Sequence, residues 1–281
     1  MSLVNLAPLL ADARRHGYAI GAFSCLNLET AAGIVAAAEA MRAPAVIAFT
    51  ARHAEWMDLP ALAASVRTLA ARATVPLALH LDHAQEMPMV EAAMEAGFTS
   101  VMFEGSGLPL EEKVRLTREL VRCAHARGIT VEAELDHIPQ AEALGGGGGP
   151  AAEGLTDPAQ AVAFARDTGI DVLAVAIGNV HHQATGEAAL DLDRLRAIAA
   201  ASPCALSLHG GSGVGDALLR AAIAAGIVKV SYFTRLARSA MEAIRQALAS
   251  GQADLAGVLR ATQDAFHDVT VERLAALGHK V

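Results

Sequence analysis

The stretch VPLALHLDHA, residues 75–84, is an apolar run whose last five positions include His80, Asp82 and His83. A nearly continuous apolar run of this length is typical of a parallel strand that is covered on both faces. Histidine and aspartate are costly to bury unless they have polar partners. We therefore expect a buried strand over residues 75–82, with chemically useful side chains at its carboxyl end.

Seven further apolar runs repeat along the chain at intervals of roughly 30 residues, the size of a strand–helix unit. They cover residues 19–25, 44–50, 99–105, 129–135, 171–178, 204–210 and 227–233. Helical patterns lie between several of them, at residues 28–43, 111–128 and 215–226, and Asp157 followed by Pro158 predicts another helix start.

Eight strand–helix units favour an α/β fold of the (β/α)8 TIM-barrel type, in one domain over residues 1–281. The alternative is an open, doubly wound sheet, which is less favoured because no GxGxxG motif follows the first strand. From about residue 235 the sequence is helical with a polar face. This extension is expected to close the barrel or to form an oligomer contact.

Composition excludes several classes of protein. The chain of 281 residues is 53% hydrophobic and only 4% aromatic, with a net charge of -8 and no basic stripe, which argues against nucleic acid as a partner. No apolar run reaches the roughly 18 residues that a membrane span needs. The N-terminus lacks the features of a signal peptide, and three widely spaced cysteines do not form a disulfide framework, so we expect a cytoplasmic location.

One segment interrupts the pattern after the fifth strand. It reads ALGGGGGPAAEG, residues 143–154, and its glycines have no strong conformational preference. Two interpretations are open, a surface loop without a function and a mobile flap over the active face.

Polar residues follow nearly every predicted strand at its carboxyl end, where the site of such a barrel lies. They are Ser24, Thr50, His80, Asp82, His83, Glu104, Glu132, Glu134, His181, His182, His209, Ser231 and Thr234. His83, His209 and either His181 or His182 would meet at one rim. Three imidazoles with an open fourth position are typical of a catalytic zinc site, and Asp82 is placed beside it for proton transfer. Glu132 or Glu134 is also able to pair with a donor on a neighbouring strand.

The sequence HGGSG, residues 209–213, ends the seventh predicted strand. Its glycines allow backbone N–H groups to approach an anion, and barrels often bind phosphate at this position. Gly210, Gly211, Ser212 and Thr234 are therefore candidate phosphate contacts. An ordinary glycine-rich turn is the alternative interpretation.

A set of motifs in one order resembles the class II, metal-dependent ketose-bisphosphate aldolases, in particular the tagatose/fructose-bisphosphate aldolase type. The resemblance runs from about residue 3 to 240 and is carried by YAIGAF (18–23), LHLDH (79–83), VEAEL (131–135), GLTDP (154–158), TGIDVLAVAIGNVHH (168–182) and LHGGSG (208–213). It implies a lyase that makes or breaks a C–C bond of a phosphorylated ketose.

The resemblance also implies roles for individual residues. Asp82 would be the acid/base, Glu134 would lie near the metal as a second catalytic carboxyl group, and His80 would be an outer-shell or substrate-contacting residue. The zinc ligands would be His83, His181 and His209. The substrate and its phosphate would contact Ser24, Thr50, His182, Gly210, Gly211, Ser212, Ser231 and Thr234. A monovalent cation such as Na⁺ or K⁺ near the phosphate, and a homodimer or homotetramer, are implied as well.

Several positions depart from the pattern of that family. His182 replaces a glycine, Ser24 and Ser231 replace asparagines, Phe233 replaces a second polar residue, and Arg235 replaces a glutamate. The paired acidic residues of the family's mobile loop have no clear counterpart. We therefore expect an aldolase with altered substrate choice. The alternatives are a weakened homologue that only binds sugar phosphates, and a metal-dependent barrel hydrolase.

Overall fold

The computed structural model describes residues 3–136, 138–139, 154–180, 189–251 and 254–279. Eight parallel strands form a closed barrel in sequential order, so the predicted (β/α)8 fold is confirmed and the open sheet is wrong. The strands are β1 Ile20–Ser24, β2 Ala45–Thr50, β3 Leu77–Ala84, β4 Ser100–Phe103, β5 Thr130–Glu134, β6 Val172–Ala174, β7 Ala205–Leu208 and β8 Ile227–Tyr232.

Most of the helices alternate with the strands on the outside of the barrel. They are α1 Leu6–His16, α2 Leu28–Ala40, α3 Leu59–Arg72, α4 Met87–Ala96, α5 Leu110–His125, α6 Pro158–Thr168, α7 Leu192–Ala201, α8 Asp216–Ala224, α9 Thr234–Ala249 and α10 Leu255–Ala276. The helix start predicted at Asp157 is observed, because its side chain accepts from the backbone N–H of Gln160 at 2.9 Å.

Most predicted strands are longer than the observed ones, because buried residues continue beyond the ends of the paired segments. The predicted strand 171–178 is the largest case, since β6 ends at Ala174. Beyond it, the backbone of Ala176 pairs with Thr156, whose N–H donates to the Ala176 carbonyl at 2.8 Å. Burial alone therefore does not mark where a parallel strand ends.

Helix α1 lies against the amino end of the barrel. Leu6, Leu10 and Ala13 are buried in one apolar cluster with residues near the strand starts, among them Ile20 and Val228. The N-cap Asn5 accepts from the N–H of Ala7 at 2.8 Å. This end is thus filled with aliphatic side chains, and the opposite end is left for polar chemistry.

The helical stretch expected from about residue 235 comprises α9 and α10. Helix α10 packs on α2, α9 and β1. A Cβ at Gly33 would lie 2.5 Å from the carbonyl oxygen of Gln263, so glycine permits this close helix contact.

Two findings concern the classes considered from composition. Across the described ranges, no helix has both the length and the apolar character required to cross a membrane. The three cysteines are free thiols, with Cys25 and Cys204 buried and Cys123 half-buried.

Candidate active site

His83 reaches the carboxyl rim of the barrel through a local irregularity in β3. Successive strand residues face opposite sides, so Asp82 and His83 would point apart in a regular strand. The pairing of β3 with β4 shifts register between Leu81 and Ala84, and His83 adopts a left-handed backbone with φ of 57°. Such irregularities re-aim side chains, and strained backbone is concentrated at functional sites. Both side chains consequently lie near the rim.

Two imidazoles meet at this rim. Nε2 of His83 lies 3.0 Å from Nδ1 of His209, and the rings are nearly perpendicular. Potential ligand atoms of Asp82, His83 and His209 all lie within 4.8 Å of one another. The structure therefore brings together two of the three predicted zinc ligands and the predicted acid/base.

A carboxylate stands behind each imidazole and selects its tautomer. Nδ1 of His83 donates to Oε2 of Glu104 at 2.8 Å, and Nε2 of His209 donates to Oε1 of Glu132 at 2.9 Å. In neutral rings with protons on those nitrogens, the two nitrogens that face each other have only lone pairs. Lone pairs 3.0 Å apart require a shared proton or a cation. This arrangement, in which carboxylates orient ligating histidines, fits a metal of the zinc type.

The charges at the rim favour a cation in the same place. Burial would lower the pKa of His83, but Asp82 and Glu104 together raise it to about 9. Burial would raise the pKa of Asp82, but the neighbouring His83 and His80 rings hold it well below its usual range. His83 and Asp82 therefore form an ion pair of an imidazolium and a carboxylate. A metal ion bound here would displace the imidazolium proton.

A polar layer supports the rim from inside the barrel. Its members are fully buried and alternate with apolar residues along their strands: His80, Ser100, Glu132, Ser207 and Lys229. Oε2 of Glu132 lies 2.8 Å from Nζ of Lys229, and Oε1 accepts from the Ser207 hydroxyl at 2.6 Å. Lys229 thus balances the buried charge of the carboxylate that orients His209.

A cavity of about 720 Å³ opens over these groups at the carboxyl end of the barrel. Ten of the predicted site residues line it: Ser24, Thr50, Asp82, His83, Glu134, His209, Gly210, Ser212, Ser231 and Thr234. His80 and Gly211 are buried below it and do not line it. His181 and His182 lie outside the described residues, as does the glycine-rich segment apart from Gly154.

Two positions were expected for His80, in the outer shell or in contact with the substrate. Its side chain is fully buried. Its Nδ1 lies 2.8 Å from the Ser100 hydroxyl, and its Nε2 lies 3.6 Å from Oδ1 of Asp82. Burial and the charge of Lys229 lower the pKa of His80. Its place beneath Asp82 suits a residue that orients the carboxylate rather than one that contacts substrate.

Glu134 has different hydrogen-bond partners from Glu132, which lies two positions earlier in β5. Its Oε1 accepts from the N–H of Ile138 at 3.2 Å, and its buried Oε2 has no hydrogen-bond partner in the described part of the chain. Burial raises the pKa of Glu134 to about 8. This carboxyl group therefore holds a proton at neutral pH beside the cavity.

The turn after β7 requires its glycines. Gly210 has φ of 71°, and a Cβ there would lie 2.3 Å from the Val180 carbonyl oxygen. A Cβ at Gly211 would lie 2.5 Å from a side-chain carbon of Val230. The hydroxyl of Ser212 accepts from the N–H of Arg235 at 3.1 Å, which joins this turn to the first turn of α9. The turn and the start of α9 are thus held side by side.

Three residues of the site were not among the sequence candidates for a role: Lys229, Glu104 as a partner of His83, and Asn179. Asn179 donates to the backbone carbonyl of His209 at 3.1 Å. A lysine inside a run that is otherwise apolar, as in IVKVSYF, was the available signal for Lys229. The sequence predicts that Glu132 or Glu134 pairs with a donor on a neighbouring strand. Glu132 does so, with Ser207 and Lys229.

Comparison with known proteins places these features in a family. A family model described as "Fructose-bisphosphate aldolase class-II" matches residues 4–280. The fructose-bisphosphate aldolase of Geobacillus stearothermophilus is 37% identical over 256 residues, 89% of this chain and 87% of that protein. The 6-phospho-5-dehydro-2-deoxy-D-gluconate aldolase of Shouchella clausii is 36% identical, with 83% and 80% covered. The crystal structure of the YdjI aldolase from Escherichia coli superimposes with a TM-score of 0.86 at 32% identity, covering 98% and 97% of the two chains.

Proposed function

The chain belongs to the class-II fructose-bisphosphate aldolase family and is an aldolase, and from that premise we propose that it cleaves a phosphorylated ketose with the aid of Zn²⁺. The observation that carries this proposal is the meeting of His83, His209 and Asp82 at one rim, with a carboxylate behind each imidazole.

We assign the metal to His83, His209 and His181. Neutral imidazole nitrogens suit zinc better than they suit magnesium or calcium. Bound there, the ion supplies Lewis acidity toward the carbonyl oxygen of the ketose. Glu104 and Glu132 fix the first two rings, so those ligands need no reorientation before the metal binds.

Asp82 is the base in the direction of cleavage. Its depressed pKa keeps it ionised at neutral pH, and its partners His80 and His83 restrict its orientation. It takes the proton of the C4 hydroxyl, the C4–O bond becomes a carbonyl, and the electrons of the C3–C4 bond remain on C3 as an enediolate. A positioned base contributes roughly 10²–10⁴-fold to such a step.

Glu134 is the acid that returns a proton to C3. It lines the cavity, and its raised pKa leaves the proton on the carboxyl group at neutral pH. This assignment gives a role to a residue of the barrel itself, in a chain whose glycine-rich segment lacks a clear acidic pair.

The phosphate on the retained half is assigned to the turn Gly210, Gly211 and Ser212 and to Thr234. Ser24, Thr50, His182 and Ser231 complete the expected set of substrate contacts. A bound Na⁺ or K⁺, a homodimer or homotetramer, and a cytoplasmic location remain predictions.

The test is a retro-aldol assay on ketose mono- and bisphosphates with the purified protein. Cleavage is expected to stop with a zinc chelator and to return with added Zn²⁺. His83→Ala is expected to abolish cleavage, whereas His16→Ala, at the exposed end of α1, serves as the matched control. Cleavage that survives complete metal removal would contradict the proposal. Tight binding of sugar phosphates without turnover would favour the binding homologue, and ester hydrolysis without aldehyde release would favour the hydrolase.

A further inference from the structure

We propose that the half of the substrate released as aldehyde is uncharged and packs an apolar face on Phe233, so that the enzyme prefers monophosphates to bisphosphates. This inference rests on the proposed function and names the substrate class of the same site. It follows from two properties of the cavity, an aromatic wall and a shortage of cations.

Phe233 forms the aromatic wall at the end of β8. It is half-buried and lines the same cavity as Asp82 and His83, so a bound substrate is able to reach both. Four residues without an aromatic ring add apolar surface to the cavity, namely Ala51, Ala54, Met89 and Ile138. An apolar group of the substrate would bury area against this surface and gain free energy from it.

An aromatic cluster holds the Phe233 ring in place. Its centroid lies 5.7 Å from that of His53, and His53 in turn lies 6.3 Å from Phe49 and 5.8 Å from Trp56. Nδ1 of His53 is buried without a hydrogen bond in the described residues. Burial and the neighbouring Arg52 lower the pKa of His53, so the ring packs as a neutral group and offers no charge to a phosphate.

The charged residues of the cavity are mostly acidic. Among described lining residues, carboxylates other than the protonated Glu134 come from Glu55, Asp82, Glu86 and Glu104, whereas the one lysine or arginine is Arg52. The segments 140–153 and 181–188, which the structure does not describe, contain neither lysine nor arginine. A second phosphate would need cationic donors besides the Gly210 turn, and proteins supply these mainly with arginine and lysine.

Arg52 is the competing anchor for a second phosphate. It is an exposed residue of the 3₁₀ segment Ala51–Glu55, and Glu55 of the same segment also lines the cavity. A single guanidinium carries one positive charge, and with Glu55 also lining the cavity it does not balance a phosphate dianion. An uncharged aldehyde needs no such balance.

The experiment runs the reaction in the direction of synthesis with the holoenzyme. Dihydroxyacetone phosphate is mixed with butanal, D-glyceraldehyde or D-glyceraldehyde 3-phosphate, and kcat/KM is measured for each aldehyde. We expect the two uncharged aldehydes to exceed the phosphorylated one by at least about tenfold. In Phe233→Asn, the ratio of kcat/KM for butanal to that for glyceraldehyde 3-phosphate should fall about tenfold, because apolar contact is lost. Phe233→Leu keeps an apolar wall and should largely retain the ratio.

The outcomes separate the two proposals. A preference for glyceraldehyde 3-phosphate that disappears in Arg52→Met would overturn this inference and leave the aldolase function intact. Equal ratios in Phe233→Asn and Phe233→Leu would also overturn it. Failure of every aldehyde to condense would remove the proposed function and this inference with it. A second readout is the fluorescence emission of Trp56, the one tryptophan of the chain, which contacts His53 beside Phe233. This emission should change saturably as butanal binds against Phe233.

Discussion

Nε2 of His83 and Nδ1 of His209 lie 3.0 Å apart, although 126 residues separate the two histidines in sequence. Glu104 and Glu132 hold the far nitrogens of the rings, so the near nitrogens present lone pairs to one point. That point is where the family's metal dependence and the local electrostatics coincide.

Replacing the carboxylate behind His209 should weaken the metal site. Glu132→Gln alone leaves Lys229 buried without its counter-ion, which costs about 3–5 kcal/mol of unfolding free energy. The double variant Glu132→Gln/Lys229→Met removes both charges and should recover most of that stability. Zinc affinity should remain roughly 10–100-fold below wild type in the double variant, measured by competition with a chelator. Wild-type affinity in this variant would show that Glu132 does not act through His209.

Asp82→Asn distinguishes proton transfer from metal binding. If Asp82 only moves the proton, kcat should fall by roughly 10²–10⁴-fold while the zinc content stays at one ion per chain. The measurement pairs steady-state kinetics with metal analysis of the same preparation. A parallel loss of zinc would make Asp82 a ligand, as its place beside His83 and His209 allows.

A methyl group at Gly210 should damage the turn after β7. Gly210→Ala combines a left-handed backbone with a Cβ 2.3 Å from the Val180 carbonyl oxygen, so we expect a loss of at least about 1–2 kcal/mol. Affinity for inorganic phosphate should fall in the same variant. Gly215→Ala is the matched control, because φ there is negative and no atom lies within 4 Å of the new Cβ. Equal effects of the two changes in chemical denaturation would contradict this account.

A pH-dependent contribution to stability is expected from Glu39, far from the rim. Its carboxylate accepts from the backbone N–H groups of Val75 and Thr74, at 2.9 and 2.7 Å, where the chain enters β3. The Val75 N–H in particular lowers the pKa of Glu39 below 4.5. A lowered folded-state pKa means that the stabilisation is complete above the unfolded value and is lost as pH falls through the folded one.

The variant Glu39→Ala should therefore cost about 1 kcal/mol at pH 7, and the difference from wild type should shrink below pH 4.5. Urea denaturation at several pH values measures it. Glu91→Ala, an exposed change on α4, should show no such trend. A constant difference from pH 7 down to pH 3.5 would mean that the Glu39 charge is not involved.

The barrel could be predicted from residues 75–84 and the seven similar runs because parallel strands covered on both faces require apolar residues at nearly every position. The polar residues at the run ends could be assigned to one rim for a related reason, since all strands of this fold run the same way. These are short-range properties of the chain, and no knowledge of neighbouring strands is needed to find them.

The partners of those residues depend on contacts between distant strands. Alternation predicts that His83 faces away from Asp82, and only the register shift between β3 and β4 turns both to the rim. A similar shift between β7 and β8 pairs Lys229 with Ser207 and brings its ammonium group to Glu132. The amino-acid sequence therefore predicts which side chains are available at the rim. The register of adjacent strands, which is decided by how the closed barrel packs, selects which of them orient the two rim histidines and which balance a buried charge.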